Sequence, residues 1–300
     1  MTDLAKTLSF IYSSPRSGST WLTRCINRHP QLVGTEFRLF GEFCELWRDP
    51  SGAQLPRQTL DHFTRYFINH FATPIPDLDR EPLRPELLRR LIETMLQFAL
   101  DVSGKTYCVD KITPYLGTSQ NVLQRIQQYC GRAKVIHLVR DGRDVLISGT
   151  FDTRTREGTL GETLLDSEMV DQWGRYWLEP QRAIHQFPPD QLQLETIRYE
   201  DLLSDTAGQL QRVFSFLEVD SQLDLCRQIA DEESFRRVNQ REAGNESPTA
   251  KARKGIAGDW QNYLDRKSAL QFQKLCQHWL FTYGYVRDTA WVDQCGQSGG

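Results

Sequence analysis

Apolar residues along the chain fall into short continuous runs separated by stretches with helical spacing. The first run, Leu8-Ser9-Phe10-Ile11-Tyr12, stops at Ser13-Ser14-Pro15 and predicts a buried strand ended by a turn. Beyond Ser17-Gly18-Ser19-Thr20, the residues Trp21, Leu22, Cys25 and Ile26 recur at helical spacing. That helix is predicted to end near His29-Pro30, because proline disfavours helical geometry in the residue before it. Further strands are predicted over 107–110, 134–139 and 193–197, and helices over about 85–100, 122–129 and 168–185. Near-continuous apolar strands alternating with helices predict an α/β fold, with a parallel sheet flanked by helices.

Residues of about 50–100 read as a helical insertion. It comprises a loop with Pro and Gly, an aromatic helix over 62–71, a proline-rich linker over 74–85 and a second helix. The segment 241–257 is polar and contains glycine, which predicts a long loop. Residues 1–293 are expected to form a single domain, with 294–300 a flexible tail. No internal repeat is visible.

Composition narrows the classes. Of 300 residues, 25% are charged and 39% hydrophobic, which suits a globular chain with a real core and excludes collagen-like or wholly disordered chains. A net charge of −3 argues against a general nucleic-acid coat, so no nucleic-acid partner is expected. The count of 7 cysteines is odd and no CxxC occurs, which reads as reduced thiols in a cytoplasm rather than disulfides or a zinc site. The first nine residues lack an apolar leader core, and no run approaches the roughly 20 residues of a membrane span. The expectation is a cytoplasmic protein.

Three loops have the chemistry to hold an anion. Ser13-Ser14-Pro15-Arg16-Ser17-Gly18-Ser19-Thr20 lies between a strand and a helix, where main-chain N–H groups at a helix start form an anion cradle. The triphosphatase pattern GxxxxGK[ST] is absent; its lysine would fall at Ser19. Taken alone, the segment also reads as a serine-rich helix cap with a surface arginine. The second cluster, Arg140-Asp141-Gly142-Arg143-Asp144, ends a strand, with Ser148 two turns into the next helix. Surface ion pairs would explain it equally well. The third is Lys251-Ala252-Arg253-Lys254-Gly255-Ile256-Ala257-Gly258-Asp259-Trp260, which reads as an anion wrap or as a solvated basic loop.

Together these motifs resemble those of sulfotransferases that use 3′-phosphoadenosine 5′-phosphosulfate. The resemblance runs from residue 8 to about 264. It implies that Pro15-Arg16-Ser17-Gly18-Ser19-Thr20-Trp21 binds the 5′-phosphosulfate, with Trp21 stacked on adenine. It implies that Arg140 and Ser148 hold the 3′-phosphate, that Tyr199 of Arg198-Tyr199-Glu200-Asp201 and the Ser234-Phe235 pair help bind the nucleotide, and that Arg253, Lys254 and Gly255 of an RKGxxGDW segment close over the 3′-phosphate. The implied fold is a P-loop-type parallel sheet of about five strands. The implied reaction needs no metal.

The chain departs from the cytosolic pattern in one place. Where many members carry a histidine base two residues after a lysine, Asp110-Lys111-Ile112-Thr113-Pro114 has Thr113. Several members instead use a glutamate beyond the first helix, which nominates Glu36 as general base; Glu36 also reads as a surface carboxylate paired with Arg38. Arg16 and Lys111 are the expected cations at the leaving oxygen. His62 and His70 are the next candidates for the base. His29 is expected to be a helix-end residue, and His137, Trp173 and Trp177 core residues. The basic residues of the third loop are expected to repel one another without nucleotide and leave that loop mobile. Two other classes remain open at this point: a nucleotide kinase with a degenerate loop, and a non-catalytic module that binds adenosine 3′,5′-bisphosphate. The acceptor is a hydroxyl on a small molecule, sugar, lipid or peptide, and nothing in the sequence selects among them.

Overall fold

The computed structural model describes residues 4–40, 66–68, 70, 79, 82–114, 116–160, 164–247, 250 and 252–296. One sheet of five parallel strands has the order β2-β3-β1-β4-β5, with β1 (Leu8–Ser13), β2 (Leu32–Thr35), β3 (Tyr107–Ile112), β4 (Lys134–Val139) and β5 (Gln193–Arg198). The helices that bear on the site are α1 (Ser19–Arg28), α2 (Leu83–Ser103), α3 (Ser119–Cys130), α4 (Gly142–Glu157), α5 (Ser167–Gln186), α6 (Tyr199–Ser204), α7 (Thr206–Leu217), α8 (Leu223–Glu232), α9 (Phe235–Asn239) and α10 (Arg266–Thr282).

Alternation along β1 explains the layers. Leu8, Phe10 and Tyr12 face one side of the sheet and meet Ile92 and Leu96 of α2, Leu123 and Ile126 of α3 and Ile184 of α5. Ile11 faces the other side with Val109 and Ile136, against Leu22 and Ile26 of α1 and Val213 and Phe214 of α7. Leu22 and Ile26 are fully buried, and each such side chain contributes about 1.5–3 kcal/mol relative to an exposed one. A further layer joins α4, α5 and α10 through Trp173, Trp177, Phe272 and Leu280, so both tryptophans are core residues as expected.

The strand order reverses beside β1: β2 and β3 lie on one side, β4 and β5 on the other. The loop leaving β1 therefore opens where such sheets hold their ligands. The predicted strands all form. β2 is not among the apolar runs, because it is four residues long and contains Gly34. Residues 66–68 and 70 of the expected 62–71 helix are helical. His62, most of the proline-rich linker, Lys251 and residues 297–300 lie outside the described residues. Among the described residues, no helix is long and apolar enough to cross a membrane.

Candidate active site

Between β1 and α1 the chain turns through two left-handed residues, Arg16 (φ 64°) and Gly18 (φ 88°). Gly18 is required there twice over. Its φ is one that a side chain disfavours, and a Cβ would lie 2.5 Å from the Tyr199 ring, which rests on the loop. The hydroxyls of Ser14 and Ser17 hydrogen-bond at 2.7 Å, and both residues are fully buried. Arg16 reaches across to α4, where its Nε donates to Ser148 Oγ at 3.2 Å and its Nη1 to Asp152 at 3.2 Å. Burial pushes the Arg16 pKa down, while Asp152 opposes that shift.

Arg140, the first residue beyond β4, joins the loops. Its Nη1 donates to the Arg16 carbonyl at 3.1 Å and its Nη2 to the Ile256 carbonyl at 3.2 Å. Its guanidinium lies 4.5 Å above the Tyr199 ring. One turn into α4, Asp144 accepts from the main-chain N–H groups of Gly258 (2.8 Å) and Trp260 (2.9 Å), so the strand end also holds the last loop. The neighbouring Arg143–Asp141 pair, at 2.7 Å, is buried rather than on the surface.

The last loop differs from expectation in one respect. Arg253 and Lys254 do not stand as bare like charges, because carboxylates neutralise them. Arg253 pairs with Asp259 and with Glu246, and Lys254 bonds Asp259 at 2.8 Å and the Tyr263 hydroxyl at 3.0 Å. Gly255 (φ 67°) lies under Phe235; a Cβ there would come within 2.2 Å of that ring. Ser234 is the N-cap of α9. Trp21 stands edge-on to Tyr199 with ring centroids 6.0 Å apart.

On the β3 side, Lys111 Nζ donates to Thr20 Oγ1 at 3.0 Å and to Glu36 Oε1 at 2.7 Å. The lysine is buried and Glu36 is exposed. Through Lys111, Glu36 is joined to Thr20 in the first turn of α1. Asp110, fully buried, accepts from Thr35 Oγ1 (2.8 Å) and from the N–H groups of Arg38 (3.1 Å) and Leu39 (2.7 Å). It fixes the segment bearing Glu36 against β3. Burial raises its pKa to about 6, against those hydrogen bonds.

The histidines fall elsewhere. His29 ends α1, where Nδ1 accepts from the Gln31 N–H and Nε2 therefore donates to the Asp220 carbonyl. His137 is buried in β4 and hydrogen-bonded to Gln181, and burial lowers its pKa to about 4. His70 is exposed. Three carboxylates that organise the site do not stand out in the sequence: Asp110, Asp152 and Glu233. A fourth, Asp144, carries a signal there as part of the Arg140 cluster.

A family model described as "Sulfotransferase domain" matches residues 116–284. Sulfotransferase 2A1 of Rattus norvegicus is 30% identical over 194 residues, covering 58% of this chain and 66% of the rat protein. The human protein of that name is 26% identical over 200 residues with the same coverage. The chain thus spans 66% of the length of these curated relatives, just under two thirds. In three dimensions it resembles mouse sulfotransferase SULT7A1 complexed with PAP (TM-score 0.57, 17% identity, 96% of this chain and 89% of that one). It also resembles the sulfotransferase domain of the Synechococcus PCC 7002 olefin synthase (TM-score 0.54, 22% identity, 94% and 95%). A family match over more than half of its length, on a fold those structures share, makes this chain a member of the sulfotransferase family.

Proposed function

We propose that this protein transfers a sulfuryl group from 3′-phosphoadenosine 5′-phosphosulfate to a hydroxyl acceptor. The observation that carries the reading is the pair of hydrogen bonds that Arg140 donates to the Arg16 and Ile256 carbonyls, which brings the loop after β1 and the basic loop to one place. The donor also fits the polar atoms around it. Arg140 Nε and Arg253 Nε are buried and have no hydrogen-bond partner among the described residues, a costly state that an anion's oxygens would relieve.

The donor supplies a sulfur that leaves its phosphate oxygen as an acceptor oxygen bonds to it. The protein's part is positioning and charge stabilisation. Arg140, Ser148, Arg253, Lys254 and Gly255 bind the 3′-phosphate. The main-chain N–H groups of Ser17, Gly18, Ser19 and Thr20 cradle the 5′-phosphosulfate. Trp21, Tyr199, Ser234 and Phe235 hold the nucleoside. Arg16 and Lys111 neutralise charge on the leaving oxygen, and these fixed cations do the work that a metal does in phosphoryl transfer. Glu36 takes the acceptor proton; Lys111 holds it by one carboxylate oxygen at 2.7 Å.

A turnover assay with the sulfate donor and, separately, with ATP, over a panel of phenol, sterol, sugar and peptide hydroxyls, tests the reaction. Transfer from ATP alone would favour a kinase. Binding of adenosine 3′,5′-bisphosphate without turnover on any acceptor would favour a binding module. Glu36→Gln is expected to lower kcat by about 10²–10⁴, with nucleotide affinity nearly intact. A variant keeping more than about a third of kcat, with chemistry rate-limiting, would remove Glu36 from the role.

A further inference from the structure

The outer face of α1 carries Trp21, Arg24 and Arg28 on successive turns, and all three side chains reach one residue, Glu233. The Trp21 indole N–H donates to the Glu233 main-chain carbonyl at 2.9 Å. Arg24 Nε donates to one carboxylate oxygen at 2.8 Å and Arg28 Nε to the other at 2.7 Å. The Glu233 side chain is 2% exposed, whereas the two arginines are about half exposed. A carboxylate withdrawn from water needs a partner for each oxygen, and here each oxygen has its own guanidinium.

The two residues after Glu233 give the arrangement its meaning. Ser234 caps α9, and Phe235 opens it with its ring against Gly255 of the last loop. Glu233 therefore ties α1, which bears Trp21, to the segment that bears Phe235. We infer that Glu233 is a positioning residue for the donor's base. Its carbonyl orients the Trp21 ring, and its carboxylate, clamped by Arg24 and Arg28, sets the separation between Trp21 and the Ser234-Phe235 turn where a purine would lie. The inference rests on the donor proposed above. Stacking a base on an aromatic ring requires a fixed ring position. None of the three clamp side chains belongs to the phosphate-binding set, so loosening the clamp should alter recognition of the base and leave recognition of the phosphates.

Titration calorimetry with adenosine 3′,5′-bisphosphate and uridine 3′,5′-bisphosphate separates the two effects, because these ligands carry the same phosphates and differ in the base. Wild type is expected to prefer the adenosine compound. Glu233→Gln is expected to weaken that compound about tenfold and the uridine compound by about twofold or less, so that the preference shrinks. Arg24→Ala, which keeps Arg28 on the carboxylate, should move the preference the same way by less. It carries the test alone if Glu233→Gln fails to fold. Equal weakening of both ligands, or an unchanged preference, overturns the role for Glu233 while leaving the donor reading standing. Failure of wild type to bind either ligand overturns both.

Discussion

The loop after β1 and the loop before Trp260 each combine cationic side-chain chemistry with a left-handed glycine, Arg16 with Gly18 in one and Arg253 and Lys254 with Gly255 in the other, yet they are held by different forces. The first is fixed by the fold itself. It leaves the central strand of the sheet, its serines are buried, and Gly18 lies under Tyr199. The second is fixed by charge. Asp259 and Glu246 hold Arg253 and Lys254, and Asp144 anchors its far end. A loop held by packing keeps its backbone in place without any ligand. A cation already bonded to a carboxylate must share that bond or exchange it when a phosphate arrives. The first loop is thus preorganised, and the second is the one whose bonds a ligand can trade.

The largest expected effect comes from breaking each loop at its glycine. Gly18→Val adds a left-handed β-branched residue and a clash with the buried Tyr199 ring. It should cost roughly 2–5 kcal/mol of stability and abolish nucleotide binding. Gly255→Val carries the same left-handed strain but meets Phe235, a partly exposed ring that has room to move, so it should also lose nucleotide binding but lower Tm less. Thermal unfolding of the two variants side by side checks this, and equal drops in Tm would erase the contrast.

Arg140→Ala removes the joint between the loops. It should weaken adenosine 3′,5′-bisphosphate by about 2–3 kcal/mol, the worth of a charge-assisted bond to an anion. Adenosine 5′-phosphosulfate, which lacks the 3′-phosphate, should bind almost as before. Calorimetry with both ligands decides; equal losses would move Arg140 away from the 3′-phosphate.

The smallest effect concerns acid. Burial alone would raise the pKa of Asp259, but hydrogen bonds from Lys254, Asn262 and Arg253 outweigh it and hold the carboxyl below its ordinary value; Glu246 is lowered in the same way. Groups depressed in the folded state contribute stability above their unfolded pKa, about 4, and lose it as pH falls through the folded value. The last loop should therefore loosen below about pH 4 while the first keeps its shape. Asp259→Asn should mimic this at neutral pH, with trypsin cutting at Arg253 or Lys254 about tenfold faster, because Arg253 and Lys254 both lose the charge of one buried carboxylate. Added adenosine 3′,5′-bisphosphate should slow the cut again. Unchanged cutting in the variant would mean the carboxylates do not hold the loop.

Residues with the chemistry to meet an anion are legible in the sequence because the requirement is local. A strand end, a glycine and a cation within a few positions of one another are visible in a linear reading, as at Arg16 and Gly18. The carboxylates that hold those residues are not legible, because their partners are distant in sequence. Asp144 receives its bonds from Gly258 and Trp260, and Glu233 receives its bonds from Arg24 and Arg28. A carboxylate on a helix has the same local pattern whether it faces water or clamps two arginines. The strands read well where apolar runs are long. β2 escapes because an edge strand of four residues leaves no run to find.

The placing of β1 has a consequence for how the chain reaches this state. β1 is made well before its partners, since Leu8 pairs with Cys108 and Phe10 with Val135. During synthesis the central strand of the sheet waits with both edges open until β3 and β4 have emerged. Pairings so far apart in sequence are slow to form, and an unpaired apolar strand invites association with other chains. Yield of folded protein on expression should therefore fall with rising temperature and with synthesis rate.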